Sequence, residues 1–208
     1  MNKFNYAAAG ALALALSAGV AQAEVSLSYG ATLTSNYVYA GVTQTMDGAA
    51  IQPYVEVASD LGFYAGIWAS NVDFASADNF EYDLYVGYGG SFGSVDYDVA
   101  YIGYYYDDSG FASDELALTF SYALTDTISA SSSVSSYLDG TGSFTQGFTF
   151  AIADAYEIGA EITTDLEGYE DWNIGVTRAI NDNVSVDLRY HQAEGLDALF
   201  TLSISIDS

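Results

Sequence analysis

The chain has 208 residues, 50% of them hydrophobic, and its 28 Asp and Glu against 3 Lys and Arg give a formal net charge of −25. So few cations exclude nucleic-acid binding and docking on an anionic membrane surface, because both need clusters of Lys and Arg. The 19 Tyr and 20 Gly, against a single Pro, are typical of strands and turns. Since the chain has no Cys, its stability must come from something other than disulfides, such as a closed sheet.

The N-terminus has the features of a secretory signal peptide. Lys3 supplies a positive charge, residues 7–16 form an apolar run, and Ala21 and Ala23 give the small-x-small pattern of a cleavage site. The apolar run is shorter than the roughly 20 residues of a membrane-spanning helix. We therefore expect cleavage between Ala23 and Glu24.

The remainder, residues 24–208, alternates apolar and polar side chains in twelve segments and has no visible domain boundary. Each segment approaches the roughly ten residues that a tilted transmembrane strand needs. The predicted strands lie near residues 25–34, 51–57, 62–71, 80–88, 95–101, 115–124, 128–138, 144–152, 156–162, 172–176, 184–190 and 200–206.

The connections between these strands alternate in length. Short turns are predicted near 59–62, 89–93, 125–126, 154–155 and 181–183. Longer polar loops fall near 36–49, 71–79, 106–113, 139–143, 165–170 and 192–198. This alternation predicts an all-β fold, a single antiparallel transmembrane β-barrel of about twelve strands with short periplasmic turns and longer extracellular loops. Outer-membrane lipid and the barrel-assembly machinery are the partners that such a barrel implies.

Aromatic residues cluster at both predicted ends of the strands. Two such rings indicate the interfacial girdles of a membrane barrel. The outer ring contains Tyr37, Tyr39, Tyr54, Trp68, Phe80, Tyr104, Tyr105, Tyr106, Phe111, Tyr137, Phe144, Trp172, Tyr190 and Phe200. The inner ring contains Tyr29, Phe63, Tyr88, Tyr97, Tyr122 and Tyr156.

Carboxylates recur on the polar face of the predicted strands. That face must be the lumen, because a charge facing lipid is costly. An acidic lumen attracts cations, so the pattern predicts a cation-preferring pore or a site for a cationic solute; a hydrated but plugged interior is the alternative. The predicted lumen carboxylates are Glu56, Glu81, Asp83, Asp96, Asp98, Glu157, Glu161, Asp171 and Asp187.

Arg189 shares this polar face, and the hairpin predicted around residues 181–183 places it opposite Asp171 or Asn173. We expect an ion pair of Arg189 with Asp171 or with Asp187, and a structural role for that pair is favoured over a functional one. The other arginine, Arg178, lies near a predicted periplasmic turn, where its charge can reach the lipid headgroups.

Other chemistry has little support in the sequence. His191 is the only histidine and no G-x-S-x-G motif is present, so a surface residue is favoured over a catalytic one. The acidic cluster of Asp107, Asp108, Asp114 and Glu115 has no EF-hand spacing, as is also true of the turn at residues 139–142, and solvated loops are favoured over calcium sites. We expect no catalytic residues, no metal and no cofactor.

Two stretches carry a resemblance to a known family. Residues 35–45 read SNYVYAGVTQT, and residues 62–74 read GFYAGIWASNVDF. They resemble the motifs S-x-Y-[VF]-[FY]-R-G-x-[ST]-Q and G-[FV]-Y-x-G-x-W-x-S-N-V of the Gcw_chp family of proteobacterial proteins, also called the TorF family. The resemblance implies an outer-membrane β-barrel, whereas the family's own function is uncharacterised. Ala40 stands where the family usually has Arg, which makes anion preference less expected.

These features together predict an outer-membrane porin that is not an enzyme and that gives small hydrophilic solutes a passive, cation-preferring path. Loops 36–49 and 71–79 would shape its mouth. The alternatives are a non-transporting barrel that serves as an adhesin or structural element, a lipid-modifying enzyme built on His191, and a soluble periplasmic barrel.

Overall fold

A computed structural model describes residues 23–208. The predicted signal peptide lies outside the described residues apart from Ala23, and its cleavage stays a prediction. The strands are β1 (Val25–Thr34), β2 (Val38–Tyr39), β3 (Val42–Thr43), β4 (Ala50–Ser59), β5 (Phe63–Asn71), β6 (Phe80–Phe92), β7 (Val95–Tyr106), β8 (Gly110–Ala123), β9 (Ile128–Tyr137), β10 (Gly142–Ala153), β11 (Tyr156–Asp165), β12 (Glu170–Asn181), β13 (Val184–Ala193) and β14 (Leu199–Asp207).

Twelve of these strands close into one antiparallel barrel. The order around the barrel is β1-β14-β13-β12-β11-β10-β9-β8-β7-β6-β5-β4, with β4 returning to β1. This closed barrel confirms the predicted fold class and strand number. Strands β2 and β3 form a separate two-stranded hairpin, which the sequence analysis had treated as part of a loop. Within the described residues, no helix is long and apolar enough to cross a membrane.

The barrel turns its apolar side chains outward. Large apolar residues such as Leu33, Leu118 and Leu202 are exposed, and they alternate along each strand with polar residues. The buried hydrophobic residues are mostly alanines, with Val72 and Tyr85 as the larger exceptions. Of the alanines, Ala50, Ala100 and Ala193 lie on the polar side of their strands. An exposed apolar face all around a closed sheet is the arrangement that lipid covers in a membrane barrel. We call the opposite, polar side of the strands the inner face.

Two connections are shorter than the sequence indicated. The predicted turn at residues 89–93 shrinks to two residues, because Gly89 and Gly90 stay in the ladder opposite Asp98 and Tyr97. The predicted loop at 106–113 shrinks to residues 107–109. Glycine and polar residues look like turn residues in a sequence, but on an inner face they are compatible with a strand. Loops 35–49 and 72–79 remain the long connections at the outer end.

The aromatic girdle is confirmed only in part. At the outer end, outward aromatics pack as neighbours: Tyr82 stacks on Tyr105 with centroids 5.3 Å apart, and Tyr190 packs on Phe200 at 5.1 Å. At the other end, Phe63 packs on Tyr88 at 4.8 Å. The prediction was wrong for seven residues whose strand position or contacts place them inside: Tyr37, Tyr39, Tyr54, Trp68, Tyr104, Tyr106 and Tyr137.

The two faces can be tested with neighbouring substitutions in β8. Leu118 is an exposed outward residue, and Ala117 next to it lies on the inner face opposite Ala100. We expect Leu118→Arg to destabilise the lipid-inserted barrel by about 2–4 kcal/mol, because it places a charge in hydrocarbon. Ala117→Arg should cost far less, because its charge stays in water among carboxylates. Urea unfolding from lipid vesicles measures both, and equal destabilisation would contradict the assignment of the faces.

Candidate pore constriction

The first outer loop contains a tight hairpin. Ala40 and Gly41 join β2 to β3 with φ angles of 47° and 73°, as a two-residue type I′ turn requires. Asn36 organises the base of the loop from a buried position. Its side chain accepts hydrogen bonds from Thr43 at 2.7 Å and Thr45 at 3.0 Å, and donates to Asp47 at 3.0 Å. The loop is therefore a folded unit and carries its own hydrogen-bond network.

This hairpin lies across the outer mouth of the barrel. The Tyr39 hydroxyl is 2.8 Å from the hydroxyl of Tyr137, at the end of β9. Strand β9 is the sixth strand from β1 around the twelve-stranded barrel, so it lies opposite the point where the loop begins. On the way, Tyr169 donates a hydrogen bond to the Ala40 carbonyl at 2.8 Å. The contacts span the barrel from one wall to the other.

Gly41 is packed against the wall at Ala193. A Cβ atom added to Gly41 would lie 2.4 Å from the Cβ of Ala193, which is itself buried. Glycine is therefore required at this position for two reasons: it adopts the positive φ without strain, and its lack of a Cβ allows the close approach to β13. The tip of the hairpin is held in place by shape as well as by hydrogen bonds.

Beneath the hairpin, two carboxylates lie on the inner face. Each lies in a row, that is, between the cross-strand neighbours that the two adjacent strands place at the same height. Glu81 on β6 is placed between Ser70 and Tyr106 of the neighbouring strands, and it is only 4% exposed. One step further into the barrel, Asp83 is placed between Trp68 and Tyr104.

Both carboxylates contain a buried oxygen without a hydrogen bond. Tyr106 donates to Glu81 Oε1 at 3.4 Å, whereas Glu81 Oε2 and Asp83 Oδ1 have no partner within residues 23–208. A buried polar atom without a partner costs free energy, so these two oxygens mark the mouth as a place where something outside the chain can bind.

Glu115 belongs to the same mouth and was missed as a lumen residue. Its carboxylate accepts hydrogen bonds from Tyr104 at 2.5 Å and from Ser135. In the sequence, Glu115 stands next to Asp114 in an acidic cluster that predicts a solvated loop. Both residues lie in β8 and face opposite sides, with Asp114 outward and bonded to Tyr101 at 2.8 Å. Strict alternation of the sixth predicted strand would have placed Glu115 on the inner face.

Deeper in the barrel, long side chains lie flat over glycines. Tyr64 crosses Gly87 to donate a hydrogen bond to Asp98 at 2.5 Å, and a Cβ on Gly87 would lie 2.3 Å from the Tyr64 ring. Arg189 covers Gly175 in the same way. These glycines allow polar side chains to lie against the wall.

The Arg189 ion pair forms with Asp187 and not with Asp171. The guanidinium Nη2 is 3.1 Å from Asp187 Oδ2, and Nη1 donates to Asn173 at 2.5 Å. The alternative with Asp171 was wrong because β12 and β13 are joined by a turn of only two residues, which sets Arg189 opposite Gly175 and leaves Asp171 opposite Ala193.

The remaining predicted lumen carboxylates are distributed along the inner face. Asp171 is buried near the outer end and is paired with Thr163, and Glu161 below it accepts a hydrogen bond from Asn173 at 3.2 Å. The other three lie nearer the opposite end, namely Glu56 opposite Ser28, Asp96 bonded to Ser91, and Glu157 opposite Thr177. They are spread over several strands and do not form one cluster.

His191 is half-buried on the inner face, where its Nε2 atom lies 3.0 Å from the Thr201 hydroxyl. The favoured interpretation as a surface residue was therefore wrong in its placement. The contact is with a threonine in the neighbouring strand, which explains the position by packing. Across the part of the chain that the structure describes, no group of three or more His, Asp or Glu is arranged to hold a metal ion.

The second long loop is joined to the next turn by Asp78. Its carboxylate accepts hydrogen bonds from the Ser109 hydroxyl at 2.6 Å and the Ser109 amide at 2.8 Å. These bonds hold the pKa of Asp78 below its usual value. The pKa of Asp107 is also lowered, by the amides of Asn79 and Phe80. The two carboxylates therefore connect loop 72–79 to turn 107–109.

Comparison with known proteins identifies the family and supports the fold. The family model described as a bacterial protein of unknown function (Gcw_chp) matches residues 18–207. The chain belongs to the Gcw_chp family. No curated protein matches the sequence significantly. The two Gcw_chp motif segments are the ones that build the mouth, because they form the hairpin and β5 and meet where Tyr37 packs on Trp68 at 5.5 Å.

Several solved porin structures share this fold. A KdgM porin is 11% identical with a TM-score of 0.67, covering 86% of this chain and 97% of its own. A KdgM porin in complex with disordered oligogalacturonate is 10% identical with a TM-score of 0.63, covering 87% and 96%. A NanC porin is 10% identical with a TM-score of 0.55, covering 88% and 98%. At these identities, the likeness establishes the shared barrel fold of this Gcw_chp protein.

The docking of the hairpin can be tested with a three-variant set. Gly41→Ala adds a Cβ that collides with Ala193, so we expect faster amide exchange throughout residues 35–49. Adding Ala193→Gly should restore part of the protection, because it removes the colliding atom. Gly93→Ala is the matched control, since its φ of 64° is similarly strained but nothing lies within 4 Å of the added Cβ. Hydrogen exchange read by mass spectrometry would contradict the docking if Gly41→Ala left this segment protected.

The Asp78 contact predicts a pH dependence with a definite sign. Because the folded pKa is lowered, the stabilisation is fully present above the unfolded pKa of about 3.9 and is lost as pH falls through the folded value. Asp78→Asn should therefore lower the melting temperature at pH 7, and its difference from wild type should shrink below about pH 4. Asp126→Asn, an exposed change in a turn at the other end, should have no such effect. A difference that widened at low pH would contradict the assignment.

Proposed function

We propose that this chain is an outer-membrane porin through which small hydrophilic solutes diffuse passively, with a preference for cations. Its exposed apolar belt suits outer-membrane lipid, and insertion would use the barrel-assembly machinery. The two long loops at one end fit the outward side of such a barrel. The fold shared with KdgM and NanC porins supports a channel over an enzyme.

The charge of the inner face carries this proposal. Glu115 and Asp207 join the nine carboxylates predicted there, and both accept hydrogen bonds from inner-face tyrosines. The single arginine on that face, Arg189, is paired with Asp187. An excess of fixed negative charge in a narrow aqueous path raises the local concentration of cations and lowers that of anions.

The carboxylates of the inner face also distinguish this chain from one of its structural neighbours. One KdgM structure contains oligogalacturonate, which is a polyanion. Recognition of a polyanion needs several cations, and Arg178, the other arginine, lies at the periplasmic end of the strands over the Tyr156 ring, 5.5 Å from its centroid. The proposed solutes are therefore cationic or neutral, and small enough to pass the hairpin.

Ion selectivity in a planar lipid bilayer tests this function. Under a KCl gradient, the wild-type barrel should give a reversal potential of the sign expected for K⁺ preference. Glu81→Gln combined with Asp83→Asn should lower the K⁺ to Cl⁻ permeability ratio by about twofold or more, since these carboxylates lie at the mouth. Asp126→Asn removes a charge from an exposed turn and should change the ratio little.

Two outcomes would contradict the proposal. Anion preference of the wild type would overturn the role of the carboxylates. Absence of conductance from correctly folded protein would favour the non-transporting barrel, with the hairpin acting as a plug.

A further inference from the structure

We infer that the mouth beneath the hairpin is a binding site for an organic ammonium cation, such as a quaternary amine. The site consists of Glu81, Asp83, Trp68 and Tyr37, with Tyr104 and Tyr106 on the next strand. This inference rests on the proposed function, because the ligand must be a solute that enters the barrel from outside.

The mouth contains buried carboxyl groups without a counter-charge. Glu81 is only 4% exposed, and its Oε2 atom has no hydrogen-bond partner within residues 23–208. Asp83 Oδ1 is buried and lacks a partner in the same part of the chain. Two carboxyl groups in adjacent rows need a counter-charge in order to ionise, since burial of an unpaired charge is costly.

The chain itself supplies no such counter-charge. Arg178 and Arg189 are the only Lys or Arg in residues 23–208. Arg189 is paired with Asp187 and Asn173, and Arg178 lies over the ring of Tyr156 at the far end of β11. The positive charge at the mouth must therefore come from solution, as a bound cation or as protons.

Aromatic side chains surround these carboxylates. Asp83 lies in a row between Trp68 and Tyr104, and Glu81 lies in the next row beside Tyr106. From above, Tyr37 of the loop packs edge-on against Trp68, with a ring-centroid distance of 5.5 Å. Aromatic rings next to carboxylates attract ammonium groups through cation–π interaction and charge together, and desolvated sites of this kind bind most strongly.

The same surroundings disfavour a metal ion. Ca²⁺ needs six to eight oxygen ligands and Mg²⁺ needs near-octahedral oxygens, whereas this mouth offers separated carboxylates among rings. Within residues 23–208, no group of three or more acidic or His side chains has the arrangement of a metal site. A weakly hydrated organic cation matches rings and carboxylates better than a strongly hydrated metal ion does.

The only two tryptophans give a direct binding assay. Trp172 faces outward and is 42% exposed, so Trp172→Phe leaves Trp68 at the site as the sole tryptophan. Titration of this protein with choline chloride in detergent, at ionic strength held constant with NaCl, should change Trp68 fluorescence in a saturable way. Addition of Glu81→Gln or Asp83→Asn should weaken choline binding by at least about tenfold, because each removes a charge-assisted contact.

Two further variants complete the design. Tyr37→Leu removes a ring and keeps the carboxylates, so it should also weaken choline binding. Asp126→Asn, on an exposed turn at the other end, should leave choline binding unchanged. Heat-modifiable migration in detergent gels verifies that each variant is folded, and Asp83→Asn serves if Glu81→Gln fails to fold.

The outcomes separate this inference from the porin proposal. The site would be overturned if choline gave no saturable response. It would also be overturned if the wild type and the carboxylate variants bound choline equally, a result that would indicate that Glu81 and Asp83 are protonated and neutral. K⁺-selective conductance without choline binding would overturn the site alone. Choline binding without conductance would support the site and overturn the pore.

Discussion

A strand surrounded by lipid has no water to bond, so every backbone N–H and C=O must find its partner in the next strand. Closing β1 against β14 removes the last free edge, and each strand then has one face toward lipid and one toward the interior. Every charged residue of a spanning strand is thereby directed inward or to a rim. Carboxylates in the middle of the strands, such as Asp98 and Glu161, lie on the inner face for this reason.

That interior has a limited volume, and the arrangement of its side chains follows from this limit. Tyr64 and Arg189 lie along the wall, which is possible because Gly87 and Gly175 have no Cβ. At the mouth, the first loop crosses the interior, and its Tyr37 packs on Trp68, the cross-strand neighbour of Asp83. The wall glycines let these side chains lie flat, whereas at the mouth the first loop meets the carboxylates and aromatic rings of the inner face.

The strands could be predicted from the sequence because their period of two is imposed by the lipid-facing side. The hairpin could not be predicted in this way, because strands of two residues are too short to show an alternation of apolar and polar side chains. Their pairing depends on Asn36 and on the Ala40–Gly41 turn. Register was predicted less well: the two-residue turn between β12 and β13 sets Arg189 opposite Gly175 and not opposite Asp171. Tyr104 and Trp68 lie near strand ends, which predicted a place in the girdle. Both are cross-strand neighbours of Asp83, however, and therefore lie on the inner face.

The central claim is that the first loop folds across the barrel mouth and reaches the opposite wall. Because the natural chain has no Cys, spin labels can be attached at Ala40→Cys and Leu138→Cys without further changes, and Leu138 is an exposed residue next to Tyr137. Double electron–electron resonance measures the distance between them in lipid. A hairpin held across the mouth predicts a short, narrow distance distribution. A long and broad distribution would show that the loop projects into solvent, and would contradict the account.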